Sequence, residues 1–136
     1  MPRLNVMKTV KIQKNNLLTS RRFLLLYIIS MIFGAIIWVV ISFLVGEKEA
    51  WDSKYYFLYG LPLMMLTSTI LGYKEPLRPW RWGITIVFSQ ALILGLSKPT
   101  ANLLPLGIIF FGFISLPCIA TAYLGSFAKK KFKKSD

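Results

Sequence analysis

The charges of this chain divide it more sharply than any motif does. No Asp, Glu, Lys or Arg occurs at residues 23–46, 55–73, 82–97 or 99–128. A helix rises 1.5 Å per residue, so about 20 uninterrupted apolar residues cross the roughly 30 Å hydrocarbon core of a bilayer. A buried helix of a soluble domain would carry a polar face at helical spacing, and these runs have no such face. Charged residues make up 16% of the chain and hydrophobic ones 55%, whereas about a quarter of a soluble domain is charged. The pattern predicts an all-α integral membrane protein, a four-helix transmembrane bundle with spans at about 22–45, 55–73, 81–97 and 103–127. Residues 1–21 form a basic N-terminal tail and residues 128–136 a polybasic C-terminal one.

The third span is the shortest, and its Trp-rich entry suits a slightly thin crossing. Pro62, Pro105 and Pro117 each remove a backbone donor within or beside a span, which bends a membrane helix or breaks it into a short piece and a longer one. The first span has a basic approach like that of a signal peptide. Its apolar region is far longer than the 7–15 residues of a signal core, so it is expected to stay.

Basic residues then orient the spans. The N-terminal tail (Arg3, Lys8, Lys11, Lys14, Arg21, Arg22) has net charge +6, and the segment between spans one and two (Glu47, Lys48, Glu49, Asp52, Lys54) has −1. The segment YKEPLRPWRW, residues 73–82, has +2, Lys98 adds +1, and the C-terminal tail has +4. Cationic segments stay on the cytoplasmic side, so both termini and the YKEPLRPWRW loop are expected inside. That alternation requires an even number of spans. Pro76 and Pro79 stop one helix running into the next, since each disfavours a helical residue before it. Trp80 and Trp82 suit the headgroup level, and Arg21, Arg22, Arg78 and Arg81 suit the anionic cytoplasmic leaflet. Docking of a soluble partner on the same Arg and Trp side chains is the sharper alternative.

A net charge of +12 also raises nucleic acid as a partner, and it is rejected. The cations are split among three membrane-adjacent segments, with few groups placed to read bases. Attraction to anionic lipid, about 1 kcal/mol per basic residue near the surface, accounts for them. Lys129, Lys130, Lys131, Lys133 and Lys134 are the main expected lipid contacts, with Phe132 among them. The terminal KKSD also has the form of a dilysine retrieval signal. The N-terminal tail reads either as an interfacial amphipathic helix or as a partly disordered basic segment, because its apolar residues do not keep to one face.

The catalytic inventory is thin. Histidine is absent and Cys118 is the one cysteine, so imidazole chemistry and thiolate clusters have no residues to use. No carboxylate lies in a span, where ionisable groups mark proton and ion pathways. Glu47, Glu49 and Asp52 sit on a short segment beside Trp51 with no room for a pocket. No catalytic, metal-binding or cofactor-binding residue is expected, and no cofactor.

What the spans do contain is neutral polar groups. Gln90 lies near the middle of span three beside Ser89, and Ser30, Thr67, Ser68, Thr69, Thr85 and Thr121 fall in the cytoplasmic half at comparable depth. Ser30, Thr67, Thr85, Ser89, Gln90 and Thr121 are the expected helix–helix polar contacts. A hydroxyl can bond its own helix one turn back. The Gln90 amide cannot easily do so and should face another helix. Counting depth along the spans, its nearest partners are Ser115 and Cys118, then Ser30 and Thr67. Small residues four apart at Ser30/Gly34, Thr85/Ser89, Ala91/Gly95 and Thr121/Gly125 permit close helix approach.

These readings point first to an accessory, scaffold or assembly subunit of a membrane protein complex, a multi-pass protein of a bacterial inner membrane whose partners are anionic lipids and other membrane subunits or copies of itself. The alternative is an oligomeric pore or carrier for a neutral or lipidic substrate, including a holin-like protein. The charge distribution makes a prediction of its own. Cysteines introduced at Lys74 and Lys131 should be labelled only from the cytoplasmic side, and one at Glu49 only from outside. Labelling of position 74 from outside would overturn the orientation.

Overall fold

The computed structural model of the protein describes residues 2–46, 53–97 and 104–135. Among these the regular structure is helical throughout: α1 (Pro2–Val45), a π-helical turn (Tyr56–Gly60), α2 (Leu61–Lys74), α3 (Trp80–Ser97) and α4 (Leu104–Ser135). Glu47, Glu49, Trp51, Asp52 and Lys98 lie outside the described residues. Three helical segments are long and apolar enough to cross a membrane, namely Pro2–Val45, Tyr56–Lys74 and Pro105–Ser135. The chain is thus a helical integral membrane protein. α3 differs from them: it spans 18 residues, opens on Trp-Arg-Trp and carries Ser89 and Gln90 at its centre.

The helix ends follow local chemistry. Gly46 takes a left-handed φ of 70°, and its amide donates to the Ser42 carbonyl at 3.0 Å, closing α1 as glycine commonly does. Ser53 starts the next segment, its Oγ accepting the Tyr55 amide at 3.1 Å. Pro62 follows close behind and has no amide to donate. The turn before it widens, with the Leu61 amide donating five residues back to Tyr56. Between α2 and α3, Arg78 sits at φ 63°, the left-handed conformation that side chains other than glycine adopt at a cost of about 1–2 kcal/mol. That residue reverses the chain ahead of Pro79.

α1 begins twenty residues earlier than the first expected span, so the basic tail is helical and continuous with the membrane segment. Residues 2–22 are exposed throughout. Further along, Ser30, Gly34, Ile37, Trp38 and Ile41 form one buried stripe at helical spacing. The opposite face, with Leu25, Ile28, Ile32, Ile36 and Phe43, stays exposed. In water such a surface would be an aggregation hazard, and in a bilayer it is the lipid-facing side. α4 runs unbroken through Pro117 and on through the lysine tail.

Packing centres on α4, which lies against α2 and α3, while α1 packs mainly on α3. Glycines set these crossings. A Cβ at Gly34 would overlap the Ile86 carbonyl and Ser89 Oγ on α3, and one at Gly72 would overlap the Ala122 carbonyl on α4. Gly125 meets the Thr69 carbonyl, and Gly83 meets the backbone of Cys118 and Ile119. Backbones this close gain dispersion contacts that replace the hydrophobic driving force missing between helices in lipid. Two of the small-residue pairs in the sequence, Ser30/Gly34 and Thr121/Gly125, lie at such crossings. Ala91/Gly95 does not, because a Cβ at Gly95 would meet open space.

Overpacking of this kind generally costs about 1–3 kcal/mol. Gly72→Val and Gly125→Val should each lower stability in detergent by that much or more, whereas Gly95→Ala should leave it unchanged or slightly raised. Thermal melts followed by circular dichroism would check the contrast.

Candidate functional site

Two polar centres stand out in a molecule otherwise held by apolar contact. The first is deep in the bundle. Gln90 on α3 is fully buried, and its side chain joins several elements. Its Oε1 accepts from the Tyr56 hydroxyl at 2.5 Å. Its Nε2 donates to the Gly34 carbonyl of α1 at 3.2 Å and lies 3.0 Å from the Met64 sulfur of α2. Each neighbour is placed by local structure. The π-turn ahead of Pro62 carries the Tyr56 ring inward, where Trp38 meets it edge-on at 6.0 Å. Gly34 has no side chain, so Gln90 reaches a backbone carbonyl that a larger residue would cover. Trp38 and Phe111, with ring centres 5.9 Å apart, fill the space towards the end away from the YKEPLRPWRW loop.

The partners of Gln90 are therefore Tyr56, Gly34 and Met64, in place of the Ser115, Cys118, Ser30 and Thr67 that depth alone suggests. Those hydroxyls turn to their own helices. Ser30 donates to the Tyr27 carbonyl, Thr67 to Leu63, Thr85 to Arg81, Ser115 to Gly112 and Thr121 to Cys118. Ser89 is buried but likewise bonds Ile86 on its own helix. Three or four residues back along a helix, a carbonyl is always within reach of a hydroxyl, and no such local partner exists for a glutamine amide. Ser68 and Cys118 are both fully buried, and the Ser68 hydroxyl makes no hydrogen bond of good geometry.

The second centre is the YKEPLRPWRW loop. The last carbonyl of α2 has no partner within that helix, and side chains from elsewhere take it and the two carbonyls that follow. Lys129 Nζ donates to the Lys74 carbonyl at 2.7 Å, Ser126 Oγ to Pro76 at 3.0 Å, and Trp82 Nε1 to Glu75 at 3.4 Å. Arg22 of α1 pairs with the mostly buried Glu75 carboxylate at 3.0 Å. Arg81 reaches the Tyr27 hydroxyl at 3.4 Å and lies 5.8 Å from the Trp80 ring centre. Trp82 is 1% exposed and packs on Tyr27 at 5.0 Å. It is thus a core residue of the loop, not the headgroup anchor expected from its position; Trp80 remains half-exposed. Arg21, Arg78, Lys130, Lys131, Lys133 and Lys134 are exposed, as lipid or partner contacts need to be.

Between α1 and the start of α2 lies an apolar groove of 640 Å³, lined by residues from Phe33 to Val45 and by Tyr55, Tyr59 and Leu63. Among the described residues no group of three His, Cys, Asp or Glu side chains could hold a metal ion. Tyr56, Met64, Gly34, Ser126 and Glu75 are site residues that sequence reasoning missed. Tyr56 belongs to a run of aromatics in which nothing marks the inward one. No protein-family model, characterised protein or solved structure matches the chain.

The Gln90 node makes a quantitative prediction. Leucine at position 90 would leave the buried Tyr56 hydroxyl without an acceptor, a loss of about 1–3 kcal/mol. Gln90→Leu should lower stability in detergent accordingly, and adding Tyr56→Phe should recover part of the loss. A double-mutant cycle by thermal or dodecyl sulfate unfolding would measure the coupling. Additive effects would refute it.

Proposed function

We propose that the protein is a four-span membrane subunit that binds and positions other membrane proteins, with α3 as the third span. In this reading its termini and the YKEPLRPWRW loop face the cytoplasm of a bacterial cell, in the inner membrane. The observation that carries the proposal is how the interior polar groups are used. Gln90, Tyr56 and Gly34 satisfy one another, and Trp38 and Phe111 fill the space beside them. Among the described residues no Asp, Glu, Lys, Arg or His side chain stands at that depth to relay a proton or coordinate an ion. A single chain so filled suits a scaffold better than a transporter.

The exposed start of α1 supports the same reading. Most helical stability in proteins comes from packing of one face, and this stretch packs on nothing in the chain while presenting Leu4, Met7, Val10, Leu17 and Leu18 together with its cations. A partner surface would stabilise it. The basic loop and the lysine-rich end of α4 supply attraction to anionic lipid on the same side. The second reading, an oligomeric pore or carrier for a neutral or lipidic substrate, draws on the apolar groove between α1 and α2.

Purification of the full chain in mild detergent should retain a second membrane protein in fixed stoichiometry. Deletion of residues 2–20 should release it while leaving the helical melt of the bundle in place. A chain that purifies alone, and that renders liposomes permeable to a neutral solute, would overturn the scaffold reading in favour of the pore.

A further inference from the structure

α1 leans on α3 and meets α2 over few residues, so a lateral groove is left between them at the end away from the YKEPLRPWRW loop. We propose that this groove is a binding site for one acyl chain of a glycerophospholipid, whose phosphate lies at Lys54. The inference is independent of whether the protein is a scaffold or a carrier.

Length is the first argument. From Phe33 to Val45 the α1 wall rises about 18 Å at 1.5 Å per residue. That is a little more than half of a hydrocarbon core of about 30 Å, the depth of a single leaflet. A partner helix would cross both leaflets, and an acyl chain ends at the midplane.

Wall texture is the second. Helix association in membranes relies on small residues that let backbones approach. The groove is lined instead by Phe33, Ile36, Val40, Leu44, Tyr59 and Leu63, among others, and none of its lining residues is Gly, Ala, Ser or Thr. Of the close-contact glycines, Gly34, Gly72, Gly83 and Gly125 face the internal crossings, and Gly60, which meets Ile41 and Ile37 where the π-helical turn crosses α1, is not itself part of the groove wall. A wall of bulky branched side chains keeps another helix at a distance but accommodates a thin, flexible chain.

The mouth is the third. Tyr55 and Tyr59 stack there with ring centres 6.2 Å apart, and aromatic rings with a polar tip favour the membrane–water interface. The Lys54 ammonium lies 5.5 Å from the Tyr55 ring centre. A cation at the interfacial end of an apolar slot one leaflet deep matches the order of phosphate and chain in a phospholipid.

The test is native mass spectrometry of the full chain in detergent, titrated separately with palmitoyl-oleoyl phosphatidylglycerol, its phosphatidylethanolamine counterpart and dioleoylglycerol. Both phospholipids should be retained at one per chain, and the phosphate-free lipid held about tenfold less tightly, as expected for loss of one charge-assisted contact. Lys54→Gln should abolish that preference. Val40→Trp, which fills the groove from an exposed position, should abolish retention, while Phe43→Trp on the neighbouring exposed surface should not. Circular dichroism melts would establish that each variant is folded. Equal retention of dioleoylglycerol, full retention by Val40→Trp, or equal loss with Phe43→Trp would each overturn the site. So would dissociation of a protein complex by Val40→Trp with the lipid count unchanged, since the occupant would then be a protein helix.

Discussion

A glutamine amide in hydrocarbon needs partners, and the way α1 and the start of α2 meet α3 follows from supplying them to Gln90. Leaving a buried amide unpaired costs several kcal/mol in an apolar medium. α1 therefore comes close enough to offer the Gly34 carbonyl, and the turn before α2 opens to bring in the Tyr56 hydroxyl. Both adjustments depend on residues that lack something. Gly34 has no side chain to hold α1 away from α3. Pro62 has no amide to keep the preceding turn tightly wound. The polar node and the close α1–α3 crossing at Gly34 are thus one structural solution.

The same economy governs the loop between α2 and α3. Three donors from α3 and α4 cover the carbonyls of Lys74, Glu75 and Pro76, where α2 gives way to the loop, and the Arg22–Glu75 pair ties α1 to the same point. An ion pair this exposed on the arginine side contributes at most about 1 kcal/mol. The carbonyl contacts matter more, because they let a proline-rich reversal sit against the bundle without orphaned backbone groups. The loop chemistry that suggests a docking motif in sequence is largely turned inward. What remains outward is the cation set of Arg21, Arg78, Lys130, Lys131, Lys133 and Lys134, beside the exposed helix of residues 2–22.

Sequence reasoning and structure part company at identifiable residues. Charge-free runs gave the second and third helices and the inner ends of α1 and α4 to within a residue or so, because the hydrocarbon thickness leaves little freedom in span length. α1 and α4 continue as helix into the two basic tails, which hydropathy leaves out of a span. The N-terminal tail was ambiguous, since its apolar residues follow no clean period, and it is helical as a continuation of α1. Trp82 looked like an interfacial anchor because tryptophans flank spans. It is buried because α3 turns that residue towards Tyr27 and the backbone of Glu75. Thr67, Thr85 and Thr121 lie at comparable depth on the cytoplasmic side of Gln90, and each takes the carbonyl that its own helix provides.

By itself the sequence determined that this chain is helical, that it belongs in a membrane, and that Gln90 would need a partner from outside its own helix. Those properties follow from hydropathy and hydrogen-bond arithmetic along one dimension. Only the tertiary structure decided which groups meet Gln90, which glycines lie at crossings, and that α1 and α2 diverge to leave an apolar groove. Such outcomes depend on how helices rotate about their axes. A single wide turn at residues 56–60 is enough to change that rotation, and depth along a span carries no information about it.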